Sequence, residues 1–161
     1  MRLDLDRTPT GPSELPVEGS LPLDLGAGEP GEVRIRGELR VDNLESRFVL
    51  RGELTATTVA SCDRCLAEFE LSYPVPVEAV VLRDAESEDE DSDTPVLHQR
   101  GGEVDLTDVL REAVVLAIPQ VRVCRDDCRG LCVRCGADLN EGPCECTDVE
   151  IDPRWEGLPD I

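Results

Sequence analysis

Eight cysteines stand at positions 62, 65, 124, 128, 132, 135, 144 and 146. They fall into four close pairs: Cys62-x2-Cys65, Cys124-x3-Cys128, Cys132-x2-Cys135 and Cys144-x-Cys146. A structural zinc ion takes four soft ligands in a tetrahedron, at about 2.3 Å for sulfur. One short pair supplies two thiolates from a single turn, and two pairs complete the shell. Eight cysteines therefore make two zinc sites with none left over. Leu131-Cys-Val-Arg-Cys-Gly136 reads as a knuckle, in which Gly136 is free to take the positive φ that turns backbone N–H groups toward the sulfurs. The expected sets are Cys132, Cys135, Cys144 and Cys146 in one site, and Cys62, Cys65, Cys124 and Cys128 in the other. The latter would close a long chain loop and stabilise the fold by restricting the unfolded chain. A competing arrangement joins Cys124 and Cys128 to Cys132 and Cys135 and leaves Cys62 and Cys65 out. Spacing alone leaves both open.

Other uses of the cysteines fit less well. A catalytic zinc keeps an open coordination position and usually has histidine or carboxylate ligands. The single histidine, His98, lies far from every pair in sequence. A thioredoxin-type CxxC belongs beside a βαβ pattern, which is missing, and no phosphate-cradling glycine loop occurs. All-cysteine sites are closed and structural, so the expectation is a protein that is not an enzyme. A redox-responsive zinc switch is the alternative, and it would need reactive thiolates.

These ligands must be held by the elements around them. Val33 to Val41 alternates apolar and polar residues, the period of a half-buried strand. Phe48 to Ala60 is long and β-branched, with a bulge expected at Gly52. Glu68 to Leu82 resumes the alternation, and its two prolines suggest an edge strand or a break. Cys62-Asp-Arg-Cys65 then forms a four-residue turn at a hairpin tip. The Pro- and Gly-rich residues 1 to 31 suggest only short extended pieces, such as Met1 to Leu5 and Leu21 to Leu25.

Asp84 to Asp93 is an acidic run that reads as a solvated loop. From Leu106 onward, apolar residues at 106, 109, 110, 113, 114 and 117 mark one helical face. Asp105 or Thr107 would cap this helix and Pro119 end it; Val115, Leu116 and Ile118 widen the apolar face and imply deep burial. The residues from 149 onward look extended or turn-like. The fold class expected is α+β: an antiparallel β-rich domain over residues 1–129 with one buried helix at 106–118, followed by a small zinc-bound cysteine-rich tail over 130–161.

The 161 residues carry 36 acids against 16 bases, a formal charge of −20, and every base is arginine. Eight thiolates against two divalent ions would lower this by a further four, to about −24. Such a surface repels phosphate backbones and favours a basic protein partner. With two Phe, one Tyr and one Trp, the core is lean, which makes metal staples more useful. The first residues lack the apolar run of a secretory signal, and no stretch approaches the roughly 18 apolar residues of a membrane span. A cytoplasmic, non-membrane protein is expected, a setting in which cysteines serve as metal ligands rather than disulfides.

Three stretches together resemble the YceD family, the large ribosomal RNA subunit accumulation proteins. They are Cys62-Asp-Arg-Cys-Leu66 after a β-rich half; the acidic loop with Asp105-Leu and a helix ending at Ile118-Pro119; and Cys124 to Asn140 with Cys144-Glu-Cys146 and Asp152-Pro-Arg154. The resemblance implies a non-enzymatic factor needed for accumulation of large-subunit ribosomal RNA, hence for ribosome biogenesis. Combined with the acidity, it points to a partner that is a basic ribosomal protein or an assembly factor. A direct RNA contact is the alternative, through Arg122, Arg125, Arg129 and Arg134 around the cysteines. The plainer reading of those arginines is that they offset thiolate charge. Trp155 is a further contact candidate, or packs the tail onto the domain.

Overall fold

Period-two alternation becomes a strand wherever it runs long enough. In the computed structural model, residues 1–23, 31–44, 46–83 and 94–146 are described. Three successive strands, β3 (Gly31–Asn43), β4 (Arg47–Ser61) and β5 (Glu68–Leu82), pair antiparallel. Val33, Ile35, Leu39 and Val41 of β3 are buried, as are Phe48, Leu50, Leu54 and Ala56 of β4 and Tyr73, Val75, Val77, Ala79 and Val81 of β5. The intervening residues face solvent, where cross-strand pairs such as Arg34–Glu70 (2.9 Å) and Arg51–Glu78 (2.8 Å) form. One face of the sheet is core and the other is charged, the arrangement that fixes register in an antiparallel sheet.

A fourth long strand, β2 (Gly11–Leu23), pairs with β3 along its whole length. This corrects the reading of residues 1–31 as short extended pieces. The signal lies at odd positions, where Leu15, Val17, Leu21 and Leu23 turn toward the core. Pro12, Pro16 and Pro22 mask it. All three fall on the opposite parity of an edge strand, where a missing N–H costs no ladder bond.

The shorter elements complete the core. The sheet order is β2-β3-β4-β5-β6, with β6 (Val96–His98) parallel to the end of β5. Strands β1 (Arg2–Asp4) and β7 (Glu103–Asp105) form a separate two-stranded ladder. Leu5, Val104 and Leu106 from this region join the core cluster, as do Val109, Leu110 and Val114 of α1 (Thr107–Ala117). Asp105 meets the free helix start by accepting from the Thr107 N–H (2.9 Å) and hydroxyl (2.5 Å). These bonds hold its carboxyl well below the usual carboxylate range.

Two further expectations change. The helix is not buried all round: Val115 and Leu116 are 47% and 77% exposed. A helix laid on one face of one sheet buries a single stripe, however apolar its other side. Gly52 makes no bulge, since it pairs with Leu39 and Val77 without interruption. Its role is close approach: a Cβ there would lie 2.7 Å from the Glu38 carbonyl and 2.9 Å from Leu39 Cδ2. By contrast, β5 does serve as an edge over residues 68–79, with Pro74 and Pro76 on the side away from β4. The acidic run at 84–93, the tail from 149 and Trp155 lie outside the described residues. Among the described residues, no helix is long and apolar enough to cross a membrane.

Candidate metal centres

Strands β4 and β5 end where the chemistry begins. Ser61 pairs with Glu68, and the six residues between them form the hairpin tip. The tip is longer than the four-residue turn expected, because the chain must wrap both sulfurs inward. The Cys62 N–H donates to Ala67 O (2.8 Å) and the Leu66 N–H to Cys62 O (2.9 Å). Leu66 holds φ at 63° to close the loop.

The same loop occurs a second time. The Cys132 N–H donates to Ala137 O (2.8 Å), the Gly136 N–H to Cys132 O (2.9 Å), and Gly136 holds φ at 73°. Aligned this way, Cys62-Asp-Arg-Cys-Leu-Ala-Glu68 and Cys132-Val-Arg-Cys-Gly-Ala-Asp138 are two copies of one knuckle. Sequence reasoning finds the recurrence of cysteine pairs but misses the shared arginine, alanine and acid.

Each knuckle meets a second pair. The eight cysteines gather as Cys62, Cys65, Cys124 and Cys128, and as Cys132, Cys135, Cys144 and Cys146, with the sulfurs of each set within 4.8 Å of one another. In the first set Cys62 and Cys128 stand 3.9 Å apart, and Cys65 and Cys124 3.7 Å. A tetrahedron with metal–sulfur bonds of about 2.3 Å has edges of about 3.8 Å. A disulfide would need sulfurs at about 2.05 Å. Two opposite pairs near the tetrahedral edge length, in a set of four cysteine sulfurs all within 4.8 Å of one another, fit a closed zinc site. Three of the first four cysteines are buried, with Phe69, Val123 and Leu131 packed around them, whereas Cys135 and Cys146 of the second set are exposed.

Backbone donors prepare these sulfurs for negative charge. Burial opposes the Cys62 thiolate, but the N–H groups of Cys124, Cys65 and Arg64 outweigh it and bring Cys62 down to about 6. Cys132 falls to about 6 as well, through the N–H groups of Cys135 and Arg134. Cys124, Cys146 and Cys65 feel their crowded neighbours. Burial and then Cys62, Cys65 and Cys128 push Cys124 up to about 12. Cys146 also rises to about 12, through Cys135 first and burial second. For Cys65, the Ala67 N–H favours the thiolate, yet burial with Cys62 and Cys128 prevails and raises it. One thiolate per set forms readily, and a divalent cation is what would let the rest ionise together.

The first centre is clamped from three directions. The Asp63 N–H donates to Arg122 O (2.8 Å), and the Arg122 N–H returns a bond to Asp63 Oδ2 (2.7 Å). The Cys124 N–H donates to Cys62 Sγ (3.4 Å). Arg64 donates to Cys128 O (3.0 Å), while its own carbonyl accepts the Leu131 N–H (3.0 Å). Gly130 passes so close to this knuckle that a Cβ would lie 2.8 Å from Arg64 O, and it holds φ at 74°.

The candidate contact arginines divide accordingly. Arg122 is tied to Asp63 and Arg125 pairs with Asp127 at 3.3 Å. The side chains of Arg129 and Arg134 are exposed, and among the described residues neither meets an acid. His98 sits exposed at the end of β6.

An open, half-charged sheet whose longest hairpin carries a module of two cysteine tetrads is the class of protein that fold and site define. The chain belongs to the YceD family: the model described as large ribosomal RNA subunit accumulation protein YceD matches residues 50–161. An uncharacterised protein of Mycobacterium leprae is 32% identical over 134 residues, covering 77% of this chain and 57% of that protein. An uncharacterised protein of Mycobacterium tuberculosis is 31% identical over 125 residues, 77% of this chain and 60% of that one. The chain thus spans under two thirds of the length of these relatives. A chloroplast protein of Arabidopsis thaliana named large ribosomal RNA subunit accumulation protein YCED homolog 1 is 34% identical over 59 residues, 37% of this chain and 18% of its own. No solved structure matches.

Proposed function

We propose that this protein is a non-catalytic factor in large-subunit ribosomal RNA accumulation, that it acts by binding a basic protein of the assembling ribosome, and that two zinc ions fix its cysteine-rich surface. The observation that carries this reading is the pair of complete cysteine tetrads. Four sulfurs per ion leave no position for water or substrate, so the metal builds a surface rather than performing a reaction. Membership of a family named for ribosomal RNA accumulation supplies the process, and a formal charge of −20 supplies the preference for a basic partner. Arg129 and Arg134, free of acids among the described residues, support a second reading in which the module touches RNA directly.

Metal analysis and affinity capture test the proposal together. The purified chain is expected to hold two zinc ions. Capture from cells is expected to retain a basic ribosomal protein after ribonuclease treatment. RNA retained after all ribosomal proteins are stripped would favour the second reading instead. In that case Arg129→Ala and Arg134→Ala should each reduce the salt dependence of binding by about one phosphate contact.

A further inference from the structure

Only three residues, Arg129-Gly130-Leu131, separate Cys128 of the first tetrad from Cys132 of the second. Both centres grip this spacer. The Leu131 N–H donates to Arg64 O of the first knuckle (3.0 Å), and Gly130 O accepts the Leu139 N–H of the second loop (2.9 Å). Leu131 also forms a bridge with Asp138.

Asn140 completes the connection. It lies between Cys135 and Cys144, on the loop that closes the second tetrad, yet its side chain reaches the first. Its Oδ1 accepts the Arg129 N–H at 2.8 Å. Its Nδ2 donates to Cys128 Sγ at 3.6 Å and to Asp138 Oδ1 at 2.6 Å. The partners fix which way the amide points, since an N–H needs the oxygen while a carboxylate and a sulfur need the nitrogen. The Asn140 N–H meets Asp138 Oδ1 as well, at 2.8 Å, so backbone and side chain are held together.

We propose that Asn140 is a positioning residue that couples the two metal centres: closure of the second tetrad delivers its amide to the Cys128 sulfur and slows metal loss from the first. This rests on the two-zinc reading above and adds an order to it. A hydrogen bond to a metal-bound thiolate spreads its negative charge and holds the ligand in place, and outer partners of this kind are worth about 10–100-fold in metal affinity. Nothing in the spacing of the cysteines requires such a link. The first tetrad has all four of its sulfurs without residues 132–146.

The test uses the full chain loaded with zinc alone, mixed with a chelator and a thiol-alkylating reagent. Peptide mass spectrometry then gives the labelling rate of each cysteine. Asn140→Ala should speed labelling of Cys62, Cys65, Cys124 and Cys128 about tenfold or more. Asn140→Asp keeps the acceptor for the Arg129 N–H but cannot donate to sulfur, and should do the same. Cys144→Ser with Cys146→Ser opens the second tetrad and should also expose the first. Adding Asn140→Ala to that double variant should bring no further gain, because both changes remove one link. Wild-type rates in both Asn140 variants would overturn the coupling, as would effects that multiply in the combined variant. A wild-type chain that holds fewer than two ions would overturn the two-zinc reading itself, so the two failures are distinguishable.

Discussion

Leu66 and Gly136 occupy the same place in two copies of one loop, with φ at 63° and 73°. The left-handed region costs a residue with a Cβ about 1–2 kcal/mol, and glycine is nearly free of that cost. Leu66 is 66% exposed, so its side chain returns little burial to the fold. Replacing it with glycine also loosens the unfolded chain, which offsets about 0.4–1 kcal/mol of the gain. Leu66→Gly should therefore stabilise the zinc-loaded protein by about 0.5–1 kcal/mol. Gly136→Ala should act in the opposite direction by about 0.5–1 kcal/mol after the same offset, since the space around Gly136 is open and only its φ resists. Urea midpoints of the two loaded variants check both signs. At this scale the sequence is partly legible. Gly136 can be assigned its positive φ from its place after a CxxC. The same conformation at Leu66 cannot, because leucine carries no mark of it. Asn140 is silent for a similar reason: two of its partners, Cys128 of the other centre and the Arg129 N–H of the spacer, are set by the fold and not by the residue.

The element scale is set by two glycine–leucine exchanges between β3 and β4. Leu39 lies over Gly52, and Leu54 lies over Gly37, whose missing Cβ would sit 2.9 Å from Leu54 Cδ2. Both leucines are fully buried. Gly52→Val sets two effects against each other. Valine is a better strand former than glycine, by up to about 1 kcal/mol. Its Cβ, however, would meet the Glu38 carbonyl at 2.7 Å and Leu39 Cα at 3.1 Å, and backbone cannot swing aside as a side-chain tip can. Overpacking of this kind costs about 1–3 kcal/mol, so the expected result is a net loss of about 1–2 kcal/mol in chemical denaturation. A gain in stability would show that the strands separate more easily than their register implies. Alternation makes β3, β4 and β5 readable from their residues alone, because each buries one parity of its side chains. Strand β2 escapes because its prolines are a loop signal in isolation and an edge signal only beside a neighbour. The exposed side of α1 escapes for a related reason, since the apolarity of Val115 and Leu116 says nothing about how many layers cover the helix.

For the whole molecule, the question is what depends on metal and what does not. The main core cluster draws on β2, β3, β4, β5, β7 and α1 and contains no cysteine. Cys62, Cys65 and Cys128 form a separate cluster with Phe69, Val123 and Leu131. The two meet through the β4–β5 hairpin, whose strands pair over fifteen positions before reaching the first knuckle. A sheet held by its own apolar face does not need the thiolates, whereas residues 122–146 contain one isolated bridge and no helix or strand to hold them otherwise. Chelation should therefore divide the protein. Hydrogen exchange after metal removal is expected to rise steeply at 62–67 and 122–146, with fraying at the strand ends beside Ser61 and Glu68. Amides at 33–41, 48–56 and 73–81 should keep their protection. Restoring zinc should reverse the change, and the two cysteine sets should regain protection together in the wild type but separately in Asn140→Ala. Uniform loss of protection on chelation would mean that the first centre, by closing the chain between Cys65 and Cys124, supplies stability that the lean core lacks.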